Sequence, residues 1–483
     1  MANCVRCGRK LPFLRGGKNR DVCKWCQEYE AAQRGESVSE YQPVVTPPWQ
    51  HRRHRGPLVM YVIFGINAAV FLAMALSGSP LVTGPPRQEL LQWGANFGPL
   101  TLSGEWWRLL SAVFVHIGLI HFAFNMWCLW DLGTLAEGLY GRWTFGAIYL
   151  LTGIAASLTT IWWSPLRTSA GASGAIFGIA GALIASLKLG EFSVPSEQIR
   201  GVTRSVMLFA VYNLAFGAVS ARTDNAAHVG GFVAGLALGA LTAKIAPESD
   251  LTAKRVVLIL ATALLLFGGA RWLYSTRGYL GHTLRAEELL EQKGKQKEAI
   301  SELNKVLASR PDDEHARFLL AVAYGDSNQF AQAEEQWQYL LQKYPSDKLA
   351  RYNLGLVYLN TNRPREAKQQ FSQILALDPR SPEGHFGMGL ALGEEGDNAT
   401  AIEELTTAAS LAPDLKGVYY NLGTAYLNLK RYDEALSAFQ KEIQNSGSSA
   451  PVQRALAQVY EAKGMKKEAE DAREKAKLLQ AAD

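Results

Sequence analysis

The sequence predicts an all-α protein: a polytopic bundle of membrane helices, followed by an α-solenoid of helical repeats and preceded by a small cysteine-rich segment. Three observations lead to this prediction. Several long apolar runs lie within residues 58–274, a 34-residue period runs through residues 281–483, and residues 1–56 carry four of the five cysteines. A chain of 483 residues is long enough to hold more than one domain.

The distribution of charge excludes one class of partner. The formal net charge of +5 averages segments of very different composition. No basic patch is interleaved with aromatic residues, so we expect no nucleic-acid partner. No apolar run precedes Leu58. We therefore expect no cleavable signal peptide, and we expect the first membrane helix to direct the chain to the membrane.

Four cysteines near the N-terminus have the spacing of a metal site. They follow the pattern C-x2-C-x15-C-x2-C and are Cys4, Cys7, Cys23 and Cys26. Two such pairs fit a tetrahedral zinc ion, and four thiolates leave no open position, so the zinc would be structural. Zinc would also supply folding energy to a segment this short. The alternative is two disulfides, which would require an oxidising compartment. Residues 1–35 are thus predicted to be zinc-ribbon-like, and residues 36–57 to be a linker.

Seven segments are apolar enough to be membrane helices. Several have about 20 residues, which is enough to cross a hydrocarbon core of about 30 Å. The predicted spans are residues 58–76, 112–134, 143–163, 171–187, 204–220, 226–243 and 256–274. With the N-terminus in the cytoplasm, the inner segments carry more lysine and arginine than the outer loops. This orientation places the repeats outside the cytoplasm, and we expect a bacterial plasma membrane, with an organelle as the alternative.

Polar side chains within the predicted spans indicate a reactive site, because polar groups are costly at membrane depth. Ser173 lies in the fourth span and His228 in the sixth. Serine needs a base to become a nucleophile, and both side chains have small neighbours. Glycines at four-residue spacing line the histidine helix and allow a partner helix to come close: Gly231, Gly235 and Gly239. The pattern predicts a Ser–His pair across two packed helices.

The second span supplies further polar groups. His121 and Asn125 are four residues apart and therefore share one helix face. We expect their side-chain donors to stabilise an oxyanion together with the backbone N–H of Ser173. His116 precedes His121 by five residues and points elsewhere, so we assign it an orienting role. Ser173 is expected to begin its helix, where the helix dipole favours developing negative charge.

Four motifs occur along these segments in a fixed order. They are "WWR" (106–108), "HIGLIHFAFN" (116–125), "GASG" (171–174) and "AHVGG" (227–231). The set resembles the rhomboid intramembrane serine proteases over residues 58–245. The resemblance implies a six-helix core, to which residues 246–279 add a seventh helix and its flanks. It also implies hydrolysis of peptide bonds in or near transmembrane segments of membrane-protein substrates, within the lipid bilayer and without a catalytic cofactor.

By position in these motifs, the resemblance assigns a role to each reacting group. Ser173 would be the nucleophile and His228 the general base of a Ser–His dyad that lacks an aspartate. His121 and Asn125 would contribute to the oxyanion hole. A second function stays open, namely a catalytically silent, membrane-tethered repeat scaffold or client-binding adaptor. Such relatives typically lack the serine or the histidine, and this chain has both, so we expect a rhomboid-type serine endopeptidase.

The resemblance also extends to residues around the reacting groups. Trp107 and Arg108 match the tryptophan–arginine pair of the first outer loop, and Glu137 matches an acidic residue that braces helix packing. One position departs from the family. Phe177 stands where tyrosine often stacks on the catalytic histidine, so the ring is kept and the hydroxyl is lost. Cys128, the fifth cysteine, is interpreted as a small packing residue.

Residues 280–483 repeat every 34 residues. Proline holds one position of the period and alanine another: Pro311, Pro345, Pro379 and Pro413; Ala299, Ala333, Ala367, Ala401, Ala435 and Ala469. The period and pattern resemble tetratricopeptide repeats, in which each unit is a pair of helices that buries its apolar face against its neighbours. We expect five and a half to six units. They predict protein ligands and recruitment of substrates, without naming a ligand.

Overall fold

The computed structural model describes residues 4–6, 21–34, 56–80, 82, 84–190, 196–219, 223–246 and 251–482. These residues form helices and loops. Among them there is one isolated antiparallel β-bridge, between Asn96 and Ser169. The chain divides into two compact units, residues 1–284 and 285–483. The all-α fold predicted from the sequence is confirmed for the described residues.

The first unit contains eleven described helices and the start of a twelfth. In chain order they are α1 (Lys24–Gln33), α2 (Leu58–Leu76), α3 (Arg87–Gln92), α4 (Gly98–Leu102), α5 (Arg108–Ser111), α6 (Leu119–Tyr140), α7 (Arg142–Trp163), α8 (Ser173–Leu189), α9 (Ser196–Val219), α10 (Asn225–Ile245), α11 (Ala253–Arg277) and α12 (Tyr279–Leu290). By length and composition alone, four of the described helices could cross a membrane: α2, α7, α10 and α11. Helix α8 is apolar but shorter, with 17 residues.

Helix α8 is the centre of this unit. From Gly174 to Leu187 every residue of the helix is buried, and α6, α7, α9 and α10 all pack against it. Helix α11, in contrast, exposes large apolar side chains along most of its length. A helix that is apolar on all sides is expected at the centre of a bundle or facing lipid. Helix α8 is the buried case, whereas α11 leaves its apolar side chains exposed.

Helices α8 and α10 touch backbone to backbone through glycine. A Cβ atom on Gly231 would lie 2.0 Å from the carbonyl oxygen of Gly174, and one on Gly235 would lie 1.9 Å from that of Gly178. No side chain fits at these distances, so only glycine permits this separation of the two helices. The close packing predicted from the four-residue spacing is present.

The second predicted span begins too early. The sequence predicts a helix over residues 112–134, whereas α6 runs from Leu119 to Tyr140. Residues 112–118 belong instead to a loop whose backbone has partners elsewhere. The carbonyl of Ala112 accepts a hydrogen bond from the N–H of Gly171 at 2.9 Å. This long-range contact fixes the loop against the turn before α8, and the helix starts about two turns later than the apolar pattern indicates.

The loop between α2 and α6 is held by Arg108. Its guanidinium donates to the carbonyls of Leu91 at 2.6 Å and Ala95 at 3.0 Å, and it pairs with Glu105. Arg108 is buried, while the indole of Trp107 is half exposed beside it. The same loop also contacts the segment before α8 through the backbone bridge between Asn96 and Ser169.

Glu137 joins α6 to the start of α2. Its carboxylate accepts hydrogen bonds from the backbone N–H groups of Val59 at 3.2 Å and Met60 at 2.7 Å. These groups lie in the first turn of α2, where N–H donors have no partner within the helix. Glu137 is itself buried and lies 3.7 Å from the guanidinium of Arg142. The carboxylate therefore caps one helix from another.

The second unit is a row of helix pairs. After α12 it contains α13 (Gln296–Ser309), α14 (Glu314–Asp326), α15 (Phe330–Lys343), α16 (Lys348–Asn360), α17 (Pro364–Leu377), α18 (Pro382–Glu394), α19 (Asn398–Leu411), α20 (Val418–Asn428), α21 (Tyr432–Ser446), α22 (Ala450–Ala462) and α23 (Lys466–Ala482). The periodic alanines are all buried. The turn within each pair has a left-handed residue at the same position of the period: Gly294, Asn328, Asn362, Gly396, Lys430 and Gly464.

Candidate active site

Ser173 is the first residue of α8 and follows a turn that requires glycine. Gly171 has φ +130°, a conformation that residues with a Cβ atom rarely adopt. A Cβ atom there would also lie 2.5 Å from Cε1 of His121. The turn thus brings the histidine of α6 against the segment that presents Ser173. The hydroxyl is at the positive end of the helix dipole, as the sequence predicts.

Ser173 and His228 are within hydrogen-bonding distance. The Oγ of Ser173 and the Nε2 of His228 are 2.9 Å apart. Ser173 is on α8 and His228 is in the first turn of α10, and the glycine contacts between these helices set the separation. A neutral imidazole with its proton on Nδ1 accepts the serine hydrogen bond at Nε2, which is the arrangement that proton transfer requires.

Phe177 holds the imidazole from the side of α8. Its ring lies parallel to that of His228, with centroids 4.3 Å apart and planes 13° apart. One turn of helix separates Phe177 from Ser173, so both contact the same imidazole. Phe177 is fully buried and also meets Phe209 of α9, with ring centroids 5.6 Å apart.

Two polar side chains of α6, Asn125 and His121, line the same cavity. The Nδ2 of Asn125 is buried and has no hydrogen-bond partner among the described residues, and the same holds for Nδ1 of His121. A buried donor without a partner is costly and calls for an explanation. A developing oxyanion beside Ser173 would supply a partner for Asn125, and losing one such donor in other enzymes costs about 2.7–4 kcal/mol of transition-state energy.

These groups line a cavity of about 560 Å³. Ser173, His228, His121 and Asn125 all contribute to its wall. Loops and helices share the remaining wall, and the apolar side chains that the helices α6, α7, α8 and α9 contribute include Phe124, Cys128, Ala156, Ile176, Phe209 and Tyr212. Cys128 is buried, and it lies on the cavity wall as well as in the helix-packing core. A cavity with apolar walls and a few convergent polar groups is typical of a binding site.

His116 does not line this cavity. It is buried in the loop before α6, and its Nδ1 lies 3.2 Å from the carbonyl of Phe114. Its ring centroid is 5.5 Å from that of His121. The structure therefore places His116 next to His121 and outside the cavity wall. Of the sequence-predicted set, Trp107, Arg108 and Glu137 also lie outside the cavity wall.

Sequence reasoning did not single out Asp224. This residue precedes α10, lines the cavity beside His228, and accepts a hydrogen bond from the backbone N–H of Ala227 at 3.1 Å. Aspartate just before an apolar helix is a helix-start signal. The segment "TDNAAH" carries that signal, which would have placed Asp224 one helical turn before His228.

Three of the four N-terminal cysteines come together. The sulfur atoms of Cys4, Cys23 and Cys26 all lie within 4.8 Å of one another, and all three residues are buried. The backbone N–H of Cys23 points at the sulfur of Cys4 at 3.1 Å. Thiolates gathered in this way fit a tetrahedral zinc ion. Cys7 lies outside the described residues.

Two protein families match the sequence. The Rhomboid domain family matches residues 103–245, which include Ser173 and His228. The tetratricopeptide repeat family matches the overlapping stretches 318–382, 355–414 and 386–451.

Individual relatives include proteins named as rhomboids. Rhomboid protease GluP of Bacillus subtilis is 31% identical over 282 residues, which are 57% of this chain and 53% of that protein. RHOMBOID-like protein 5 of Arabidopsis thaliana is 35% identical over 161 residues, 33% of this chain and 51% of that protein. Rhomboid protease AarA of Providencia stuartii is 30% identical over 237 residues, 44% of this chain and 83% of that protein. The chain thus spans about half the length of the first two relatives.

Proposed function

Because the chain belongs to the rhomboid family and carries tetratricopeptide repeats, we propose that it is an intramembrane serine endopeptidase whose repeats recruit proteins. The observation that carries the proposal is the 2.9 Å distance between Ser173 Oγ and His228 Nε2. The aromatic stack on the imidazole and the cavity around both side chains support it.

The first half of the proposed reaction forms an acyl-enzyme. The Oγ of Ser173 attacks the carbonyl carbon of the substrate peptide while Nε2 of His228 takes the hydroxyl proton. The carbonyl oxygen becomes an oxyanion, which accepts hydrogen bonds from Asn125, His121 and the N–H of Ser173. The C–N bond then breaks, and His228 returns the proton to the leaving amine.

The second half releases the other product. Water enters the cavity, His228 takes one of its protons, and the resulting hydroxide attacks the ester carbon. The bond to Ser173 breaks, and its oxygen regains a proton from His228. No metal or organic cofactor takes part in these steps. The proposal therefore needs only the two residues of the dyad and the donors around them.

The proposed substrates are membrane proteins cleaved in or near a transmembrane segment. The apolar wall of the cavity fits apolar side chains of such a segment. A regular helix hides its peptide bonds in backbone hydrogen bonds, so the substrate must unwind locally before Ser173 can reach a carbonyl. The repeats of the second unit, residues 285–483, are proposed to hold protein ligands and to bring substrates to the first unit.

We propose that the protein is integral to a bacterial plasma membrane, with its N-terminus in the cytoplasm and its repeats outside the cytoplasm. The surplus of lysine and arginine on the inner segments supports this orientation. A reduced N-terminal segment is consistent with zinc on Cys4, Cys7, Cys23 and Cys26, where the ion would have a structural role. A cysteine introduced at Ser446 should react with an impermeant thiol reagent from outside the cell, whereas reaction only after permeabilisation would contradict the orientation.

A fluorophosphonate probe tests the proposed nucleophile. The reagent forms a bond to an activated serine, so the wild-type protein in a bilayer should be labelled on Ser173. Labelling should be lost in Ser173→Ala and in His228→Ala. An unlabelled wild-type protein that still binds membrane proteins would favour the scaffold or adaptor function. Labelling that persists in His228→Ala would exclude His228 as the base.

A further inference from the structure

The proposed base is in a part of its helix that needs external support. His228 is in the first turn of α10, which begins at Asn225. The first N–H groups of a helix have no partner within the helix, and helix ends fray. The serine–histidine distance of 2.9 Å can persist only if this turn is fixed. The contacts that fix it therefore bear on the reaction.

Asp224 makes two side-chain contacts that fix the turn. One carboxylate oxygen accepts the N–H of Ala227 at 3.1 Å, which caps α10. The other oxygen accepts the hydroxyl of Thr160 at 2.6 Å. Thr160 is a buried residue of α7, and α7 packs on both α8 and α10. The carboxylate thus joins the helix that carries His228 to a helix that packs against the one carrying Ser173.

The backbone around Asp224 strengthens the same link. The carbonyl of Asp224 accepts the N–H of His228 at 3.2 Å, so the two residues are joined within one turn. The carbonyl of Thr223 accepts a hydrogen bond from the guanidinium of Arg167 at 2.8 Å. Arg167 lies in the loop that leads from α7 to Ser173. The segment before His228 and the loop before Ser173 are therefore both anchored at the C-terminal end of α7.

We propose that Asp224 is a positioning residue for His228, acting through its cap on α10 and its hydrogen bond to Thr160. It holds the imidazole at Ser173 and takes up no proton itself. The inference rests on the proposed function, since it concerns the geometry of that reaction. Displacing a reacting group by about 1 Å can cost up to about 100-fold in rate, so loss of this support should lower turnover rather than substrate binding.

The second compact unit offers a control for the general effect of losing a capping aspartate. Asp313 caps α14 in the same way, accepting the N–H of Ala316 at 3.0 Å. Asp313→Ala removes a hydrogen bond of the same kind, but at a position far from the dyad in the sequence. A general effect of losing a capping aspartate would therefore appear in both variants. An effect on turnover confined to Asp224 identifies the positioning role.

The test measures kcat and KM for a transmembrane model substrate in liposomes, with the full-length protein. Asp224→Ala should lower kcat at least about tenfold, leave KM unchanged, and slow fluorophosphonate labelling in parallel. Asp224→Asn keeps an acceptor for the Ala227 N–H and a polar partner for Thr160, so it should restore most of the rate. Thr160→Val should give an intermediate loss, and Asp313→Ala should match the wild type.

The outcomes separate this inference from the proposed function. If wild type and Ser173→Ala are equally inactive, the proposed function fails. If the wild type is active and Asp224→Ala matches it, only the inference is overturned. Equal losses in Asp224→Asn and Asp224→Ala would overturn it too, because geometry would then not explain the effect. If Asp224→Ala does not fold, Thr160→Val decides: a lower kcat at an unchanged melting temperature supports the inference, and an unchanged kcat contradicts it.

Discussion

The rings of Phe177 and His228 lie parallel, with their centroids 4.3 Å apart. Phe177 is also one turn after Ser173 on α8, so a single helix supplies both the proposed nucleophile and the surface against which the proposed base lies. A flat ring limits rotation of the imidazole, and it does so without a hydroxyl. Phe177 therefore provides the ring stacking that the sequence predicts at this position.

This stack leads to the first prediction. Phe177→Tyr keeps the ring and should retain cleavage activity close to that of the wild type. Phe177→Leu keeps an apolar side chain but removes the flat surface, and it should lower kcat with a smaller effect on KM. Cleavage rates for the two variants in liposomes check the prediction. Equal rates for Phe177→Leu and the wild type would show that stacking does not matter for turnover.

The glycine contact between α8 and α10 gives a second prediction. Gly235→Ala places a methyl group against the carbonyl of Gly178, where a Cβ atom would lie at 1.9 Å. The helices must separate, and fluorophosphonate labelling of Ser173 should fall strongly. Gly268→Ala is the matched control, because a Cβ atom at that position on α11 meets nothing within 4 Å. Equal labelling of both variants would contradict the role given to the helix contact.

Glu137 should matter for stability. Glu137→Ala leaves the N–H groups of Val59 and Met60 without their present acceptor, and an unsatisfied buried group costs about 1–3 kcal/mol. Glu137→Gln keeps one carbonyl acceptor and should be destabilised less. Thermal unfolding in detergent, followed by loss of helical signal, compares the two variants. If Glu137→Ala melted at the same temperature as the wild type, the proposed stabilisation by this cap would be contradicted.

The cysteine cluster predicts a metal content. The purified full-length protein should contain one zinc ion per chain, because four thiolates complete one tetrahedral site. Cys23→Ser should lose most of the zinc, whereas Cys128→Ser should retain it, since Cys128 lies in α6 and is not part of the cysteine cluster. Elemental analysis of the three proteins gives the answer. Zinc retained in Cys23→Ser, or absent from the wild type, would exclude the proposed site.

Recruitment by the repeats can be tested by truncation after Leu284, where the two compact units divide. This end point keeps Leu280, which packs against the loop between α2 and α6. The truncated protein should cleave a minimal transmembrane peptide at the wild-type rate. In the Ser173→Ala background it should retain fewer membrane proteins than the full chain does. Equal retention by the two forms would reject recruitment.

The sequence was informative where chemistry is encoded locally. The glycine spacing on α10 predicted its close contact with α8, and the 34-residue period predicted the helix pairs. The predicted start of α6 was wrong by seven residues, because the partner of Ala112 is the backbone of Gly171, far away in the chain. Long-range contacts of this kind leave no periodic trace in the apolar pattern.

The site residues also divide into those that local motifs reveal and those that depend on long-range contacts. Ser173, His228, His121 and Asn125 could be named because motifs carry them, and the roles assigned to them remain predictions. Asp224 was missed because its partner Thr160 is 64 residues earlier in the chain. A capping signal reveals where a helix begins, but it does not reveal which neighbouring helix the same side chain will bind.

The most direct test of the central claim is cleavage of a transmembrane model substrate by the full-length protein in liposomes. Ser173→Ala should abolish cleavage, because no other group replaces the nucleophile. Ser205→Ala is the matched control, because this serine is exposed on α9 and, among the described residues, donates its hydroxyl to the carbonyl of Gly201 in the same helix. The account predicts cleavage by the wild type and by Ser205→Ala, and none by Ser173→Ala. Cleavage by Ser173→Ala at the wild-type rate would contradict it.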